Sequence, residues 1–166
     1  CVEPGWACGA TRGSLIFGQG EVAVTAGSSV TKTTVVEGFS IYGVESPASG
    51  SSVGVDIAGG GPRLKGNLIV AGTVTEAMKA SVGVVIRSGA ATTNVPELRN
   101  NDIQAGNADF ASFGVELLSP QIGALVVGNK ISAGTGPSSM AAFSVARERA
   151  AGMASGAGSF SRVSIS

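Results

Sequence analysis

The sequence predicts an all-β fold: a right-handed parallel β-helix (solenoid) of about five coils, in which short strands stack from one coil to the next. Three observations predict it: a motif that recurs about every 30 residues, apolar residues spaced by two within each copy, and many small residues. The chain has 166 residues, of which 26 are glycine and only 13% are charged. This length suits one domain, and the small residues suit tightly stacked strands joined by tight turns.

The first repeated motif centres on an isoleucine and is clearest in PELRNNDIQAG (96–106). Similar segments are PRLKGNLIVAG (62–72), ALVVGNKISAG (124–134) and TVVEGFSIYG (34–43), and a partial copy, SFSRVSIS, ends the sequence. The aligned isoleucines follow one another at intervals of 28, 34, 28 and 34 residues and are Ile41, Ile69, Ile103, Ile131 and Ile165. We interpret them as a core stack with one side chain per coil, about 4.8 Å apart.

A second motif alternates with the first and supplies another strand to each coil. Its copies are SVGVDIAGG (52–60), SVGVVIRSG (81–89), SFGVELLSP (112–120) and a weaker fourth, MAAFSVARE (140–148). The apolar residues are two apart in the first three copies, which predicts strands rather than helices. Around the fourth copy, the composition of residues 138–156 also allows a helix.

The regular repeats divide the chain into two parts within one domain. Residues 1–34 are predicted to form an N-terminal segment and a first partial coil, which includes the strand-like GEVAVTAG (20–27). Residues 35–166 are predicted to form the regular coils. The last motif stops in the middle of a predicted strand, so we expect this end to meet further chain or another subunit.

An asparagine stands two residues before the isoleucine in three of the copies: Asn67, Asn101 and Asn129. Asparagine tolerates a left-handed corner and can hydrogen-bond to neighbours one coil above and below. We therefore predict a structural ladder rather than a ligand site. Beside it, Glu37 aligns with Lys65 and Arg63 aligns with Glu97, which predicts ion pairs between neighbouring coils.

The composition argues against several classes of function. The sequence has no histidine, which removes the commonest general base and metal ligand, and it shows no metal-binding cysteine spacing. Eleven basic residues balance eleven acidic ones, which argues against nucleic acid as a partner. No apolar run is long enough for a membrane span. We predict no catalytic residue, no cofactor and no metal ligand.

One predicted column of side chains contains two carboxyl groups, whose spacing can be compared with that of a catalytic pair. The column consists of Asp56, Val85, Glu116 and Ser144. Its two acids would lie two coils apart, about 9.6 Å, near the outer limit for an inverting glycosidase. Val85 stands between them, and no aromatic residue or cation is placed to hold a sugar. The column therefore does not predict an enzyme.

The two cysteines, Cys1 and Cys8, lie close together in CVEPGWAC. Our first interpretation is a small disulfide loop, which implies an oxidising compartment. Two free thiols are an alternative. A third interpretation is that Cys1 carries the lipid anchor of a processed bacterial lipoprotein.

The repeated GNxI…AG and GVxI motifs resemble the coils of the pectate-lyase-like superfamily of right-handed parallel β-helices. They are most similar to the small-residue-rich repeats of bacterial secreted and cell-surface proteins. The resemblance covers about residues 35–166 and implies the fold but little about activity, because the superfamily includes lyases, hydrolases, tailspikes, adhesins and inert scaffolds. Its enzymes usually need clustered carboxylates, whereas Asp56, Asp102 and Asp109 are separated in this sequence.

These observations predict a non-enzymatic structural or adhesive module, extracellular or at the cell surface, which assembles through its open ends into a filament or stalk. The alternative is a carbohydrate-active or carbohydrate-binding β-helix, similar to a polysaccharide lyase or hydrolase. It would use the loop-bearing face around residues 73–80 and 107–113, and its partner would be a surface polysaccharide.

Overall fold

A computed structural model describes residues 14–45, 47, 50–87, 94–118 and 124–144, with only the backbone for 142–144. In these residues the chain forms a parallel β-solenoid of about four turns, and no helix is present among them. The predicted all-β class and the stacking of coils are thus confirmed, with a number of turns close to the expected five.

Fourteen short strands account for the regular structure of the described residues. They are β1 (Ser14–Phe17), β2 (Val22–Ala26), β3 (Val35–Glu37), β4 (Phe39–Tyr42), β5 (Ser52–Ala58), β6 (Arg63–Lys65), β7 (Leu68–Val70), β8 (Ala80–Arg87), β9 (Glu97–Arg99), β10 (Asp102–Gln104), β11 (Ala111–Leu117), β12 (Leu125–Val127), β13 (Lys130–Ser132) and β14 (Ser138–Ser144).

The strands stack into three parallel sheets that run along the solenoid. Sheet A contains β1, β4, β7, β10 and β13; sheet B contains β2, β5, β8, β11 and β14; sheet C contains β3, β6, β9 and β12. Each coil passes from sheet A to sheet B and then to sheet C. The first coil is therefore made of β1, β2 and β3, and the fifth contributes β13 and β14 within the described residues.

The core stack runs through sheet A. Register pairs join Ile41 to Ile69, Ile69 to Ile103, and Ile103 to Ile131. The first three of these side chains are fully buried. The structure adds Ile16, which pairs with Ile41 and begins the column one coil earlier. The predicted member Ile165 lies outside the described residues.

The isoleucine column packs against a column of glycines in sheet B: Gly54, Gly83 and Gly114. A Cβ atom added to Gly83 would lie 2.6 Å from both Cγ2 of Ile103 and the carbonyl oxygen of Gly114. The glycine of the GVxI motif therefore leaves room for the isoleucine of the GNxI motif. This close packing explains why the two motifs recur together.

Sheet B carries two layers of apolar side chains. The core layer includes Val55, Val84 and Val115, which are buried with the isoleucine column. Neighbouring positions form a separate buried cluster whose members are Val53, Val82, Val85, Ala111 and Phe113. Burial on both sides accounts for the nearly continuous apolar runs of β5 and β8.

The register of the fifth coil corrects the sequence alignment by one residue. Phe113 pairs with Met140, and Glu116 pairs with Phe143, so Phe143 rather than Ser144 continues the column of Asp56. The fifth coil has one residue fewer between sheets A and B than the fourth, and a shift of one residue exchanges the faces of a strand. Residues 138–144 form a strand, so the helix that their composition allowed is absent there.

Stacking begins earlier in the chain than the regular repeats indicated. The segment predicted as a first partial coil, within residues 1–34, contributes both β1 and β2. The first and second coils also meet through Phe17 and Tyr42, whose stacked rings have centroids 5.3 Å apart. The first coil was hard to detect because Ile16 precedes Ile41 by only 25 residues, which is shorter than the later intervals.

Candidate functional site

The corner between sheets C and A, here called the asparagine corner, holds Asn67, Asn101 and Asn129. Nδ2 of Asn101 donates to the carbonyl oxygen of Leu64 (2.9 Å) and to Oδ1 of Asn129 (2.8 Å). Its Oδ1 accepts from the backbone N–H and from Nδ2 of Asn67, both at 3.0 Å. Both donors and both acceptor positions of the side chain are therefore engaged.

The same bonding extends one coil to each side. Nδ2 of Asn67 donates to the carbonyl oxygen of Val36 (2.8 Å), and its Oδ1 accepts from the N–H of Phe39 (3.0 Å). Nδ2 of Asn129 donates to the carbonyl oxygen of Leu98 (2.8 Å). The structure thus brings the three predicted residues together, and with Asn67 and Asn101 only 2% exposed, these two offer no surface to a ligand.

The left-handed residue at this corner stands immediately before the ladder asparagine, which corrects the expectation that the ladder residue itself takes this conformation. Asn100 has a φ of 53°, and the equivalent Gly66 and Gly128 have φ values of 62° and 65°. The two adjacent asparagines of LRNNDIQAG therefore have different roles. Asn100 allows the chain to turn, and Asn101 connects the coils.

The corner between sheets A and B, here called the serine corner, contains a second ladder that the sequence analysis missed. Its members are Ser52, Ser81 and Ser112, all fully buried. Oγ of Ser81 donates to the carbonyl oxygen of Gly72 (2.7 Å) and accepts from the N–H of Gly106 (2.8 Å), one coil further. The recurring serine of SVG and glycine of AG were a usable signal for this contact.

The neighbouring serines repeat the arrangement. Ser112 donates to the carbonyl oxygen of Gly106 (2.7 Å) and accepts from the N–H of Gly134 (2.7 Å). Oγ of Ser52 accepts from the N–H of Gly72 (2.8 Å). No buried side-chain nitrogen or oxygen lacks a hydrogen-bond partner in the described residues. Both ladders therefore satisfy buried backbone groups at the corners, where the sheet hydrogen bonds are interrupted.

Charged residues pair between coils on the outer surface. The ion pairs between neighbouring coils of sheets A and C are Glu37–Lys65 (2.8 Å), Arg63–Glu97 (3.5 Å) and Asp102–Lys130 (3.4 Å). The first two are the predicted pairs. Each includes at least one well-exposed side chain, so each contributes no more than about 1 kcal/mol to stability.

In the column of sheet B that holds Asp56 and Glu116, the carboxylate of Asp56 forms an ion pair with Arg87. Nε of Arg87 lies 3.0 Å from both carboxylate oxygens of Asp56, which is mostly buried. Val85 pairs with both Asp56 and Glu116 and fills the coil between them. Burial raises the pKa of Glu116 above its ordinary value, and the charge of Arg87 opposes this shift. Asp56 is therefore engaged with Arg87, and the buried Val85 separates the two carboxyl groups.

A groove lies outside the serine corner, where three successive coils each contribute three residues. We call it the corner groove and define it by residues 73–75, 107–109 and 135–137, which line a volume of about 340 Å³. The N–H of Val74 donates to the carbonyl oxygen of Asn107 (2.8 Å), and that of Ala108 donates to the carbonyl oxygen of Thr135 (3.0 Å). The groove lies on the face that the sequence indicated for a carbohydrate.

Comparison with known protein families, with curated proteins and with solved structures found no match to this chain. In the described residues, no helix could span a membrane. The same part of the chain brings together no group of three or more histidine, cysteine or acidic side chains that could hold a metal. Cys1 and Cys8, predicted as a disulfide, lie outside the described residues.

Proposed function

We propose that this chain is a non-enzymatic structural module, extracellular or at the cell surface, that adds end to end into a filament or stalk. The observation that carries the proposal is the set of parallel edge strands at each end of the described solenoid. These are β1, β2 and β3 at one end and β12, β13 and β14 at the other. Such edges pair readily with another chain unless they are covered.

The N–H groups of the edge strand β1 point alternately toward the second coil and away from it. The N–H of Gly18 donates to the carbonyl oxygen of Tyr42 in the second coil (2.8 Å). Because peptide groups alternate in direction along a strand, the N–H groups of Leu15 and Phe17 point away from the second coil. Those two groups are the donors that a further parallel strand would use.

The side-chain columns also continue to the described ends. The core column has isoleucine in the first coil, Ile16, and in the last described coil of sheet A, Ile131. In the column of the asparagine ladder, the first two coils hold Ser14 and Phe39 in place of asparagine, and the N–H of Phe39 donates to Asn67. A coil added at either end would therefore meet an isoleucine of the core column, as an inner coil does.

The surface composition supports a structural role outside the cell. Only 13% of the residues are charged, and in the described part of the chain acidic and basic side chains of neighbouring coils form ion pairs. These pairs fix the register of the stack. A disulfide between Cys1 and Cys8, or a lipid on Cys1, would suit the same location.

The test is the assembly state of the purified chain. Size-exclusion chromatography with light scattering, over a range of concentrations, is expected to show growing polymers, and negative-stain electron microscopy is expected to show rods of constant width. Leu15→Pro removes an edge N–H that points away from the second coil and should shorten the polymers. Leu15→Ala is the matched control and should assemble like the unmodified chain.

Two outcomes would contradict the proposal. One is a discrete monomer at every concentration. The other is unchanged polymer length in Leu15→Pro, with circular dichroism showing the same β content as Leu15→Ala. Either result would mean that the end strands do not carry assembly.

A further inference from the structure

We propose that the edge of β1 binds residues 162–166 (RVSIS) of a second copy of this chain as an added parallel strand. This inference rests on the proposed end-to-end assembly and names the segment that meets one end of the solenoid. Three features carry it: the backbone groups along the edge of β1, the sequence that a strand of sheet A requires, and the match of residues 162–166 to that sequence.

The strand β1 lies at the edge of sheet A. In the described residues it pairs only with β4, in the register that joins Ile16 to Ile41. In a parallel strand, the N–H and the C=O of one residue point to the same side. Leu15 and Phe17 therefore direct two donors and two acceptors away from the second coil. These residues are 49% and 64% exposed, so the edge is accessible to an added strand.

The strands of sheet A share one requirement, which is an isoleucine at the centre. In the second, third and fourth coils this side chain is fully buried. The flanking residues point outward and vary widely, from Leu68 and Val70 to Lys130 and Ser132. An added strand therefore needs a central isoleucine that can pack on Ile16, and its flanking residues can be small and polar.

Two isoleucines of the sequence lie outside the described strands, Ile122 and Ile165. Ile122 is followed by Gly123, and glycine weakens a strand. Ile165 stands in Ser-Ile-Ser, which differs by one residue from the Lys-Ile-Ser of β13. Residues 164–166 are therefore the better match to a strand of sheet A.

The residue at the turn position favours an extended segment over another regular corner. In the described coils, the residue three before the isoleucine has a positive φ and is a glycine or an asparagine; these residues are Gly38, Gly66, Asn100 and Gly128. The aligned residue is Arg162, for which a positive φ is costly. An added strand does not need this turn, so the segment suits strand addition to another copy.

The proposed pairing has a defined register. The pairs between one copy and the next are Ile165 with Ile16, Ser164 with Leu15, and Ser166 with Phe17. In this register Val163 lies beside Ser14. The first two coils hold Ser14 and Phe39 in the column of the asparagine ladder, so the added strand needs no asparagine at this position.

The first test is disulfide cross-linking of the full chain. Paired residues of neighbouring strands are about 4.8 Å apart, a distance that a disulfide can span. The double variant Leu15→Cys, Ser164→Cys should give a ladder of covalent multimers on a non-reducing gel. The matched double variant Leu15→Cys, Ser159→Cys moves the second cysteine by five residues. It should give no more multimers than Leu15→Cys alone, which measures the contribution of Cys1 and Cys8.

The second test changes the central isoleucine and is read by light scattering. Ile165→Asp places a charge where the core column requires an apolar side chain, and should raise the concentration at which polymers form by at least about tenfold. Ser159→Asp adds the same charge outside the proposed strand and should assemble like the unmodified chain. Circular dichroism checks that both variants keep the β content of the unmodified chain.

The outcomes separate this inference from the assembly on which it rests. If Ile165→Asp polymerises like the unmodified chain, the inference is overturned and end-to-end assembly stands. The same holds if the Leu15→Cys, Ser164→Cys variant gives no stronger ladder than its matched control. A monomeric unmodified chain would instead overturn the proposed function, and this inference with it.

Discussion

The asparagine corner and the serine corner both satisfy buried backbone groups with side-chain hydrogen bonds, but they use different side chains. At the asparagine corner, each amide bonds to its own kind and to backbone groups of neighbouring coils, and the chain turns in one left-handed residue. At the serine corner, the hydroxyls of Ser52, Ser81 and Ser112 bond to glycine backbone groups, and the loop outside the corner differs in length from coil to coil. The ladder fixes the backbone of the asparagine corner. At the serine corner, the residues outside the ladder vary in number from coil to coil.

This difference indicates where the molecule can carry function. At the asparagine corner, the side chains of Asn67 and Asn101 are buried and hydrogen-bonded within the protein, so they are not accessible to a ligand. The serine corner separates the two tasks, because the buried serines hold the coils together while the tripeptides outside them display side chains. Binding surfaces commonly sit on loops that a rigid scaffold positions, and the corner groove is placed in this way.

The largest effect is expected at the asparagine corner. Asn101→Ala leaves the carbonyl oxygen of Leu64 and the N–H of Asn67 without their partner, and should lower the free energy of unfolding by about 3 kcal/mol. Asn107→Ala, on the exposed surface of the other corner, should cost less than about 1 kcal/mol. Denaturant unfolding of both variants checks the comparison. Equal losses of unfolding free energy would show that the ladder contributes no more to stability than an exposed side chain does.

A smaller effect is expected at the serine corner. Ser81→Ala removes one donor and one acceptor from Gly72 and Gly106 without changing the backbone, and should cost about 2 kcal/mol. Ser139 occupies the same column in the fifth coil, is exposed and donates to Gly136. Ser139→Ala should therefore cost less than about 0.5 kcal/mol. Thermal unfolding measures both, and a larger loss for Ser139→Ala would break the assignment of the ladder.

The smallest effect concerns the turn residue of the asparagine corner. Asn100→Ala should lower stability by about 1 kcal/mol because alanine is strained at a positive φ. Asn100→Gly should stay within about 0.5 kcal/mol of the unmodified chain, since glycine occupies this position in neighbouring coils. If both variants lost the same stability in denaturant unfolding, the side chain of Asn100 and not its backbone would matter.

Several features could be predicted because they recur at a fixed period. The isoleucine column, the asparagine column and the ion pairs of Glu37 and Arg63 each follow from aligning the copies. The serine ladder was equally periodic, but its partners are glycine backbone groups, which a search for matching side chains does not find. The sequence could assign the corner groove only to one face of the solenoid. The loops differ in length, so the sequence alone does not show which loop residues lie next to each other in neighbouring coils.

The sequence by itself determined the architecture of this protein: its short strands, its coils and the side chains that fill each column. It did so because stacking brings residues one period apart into contact, so that each column can be seen in the alignment. Only the tertiary structure decided the register of the fifth coil, the pairing of Ile16 with Ile41 in the first two coils and the shape of the corner groove. These depend on the path of the chain around the corners, where one residue more or less changes which side chain faces outward.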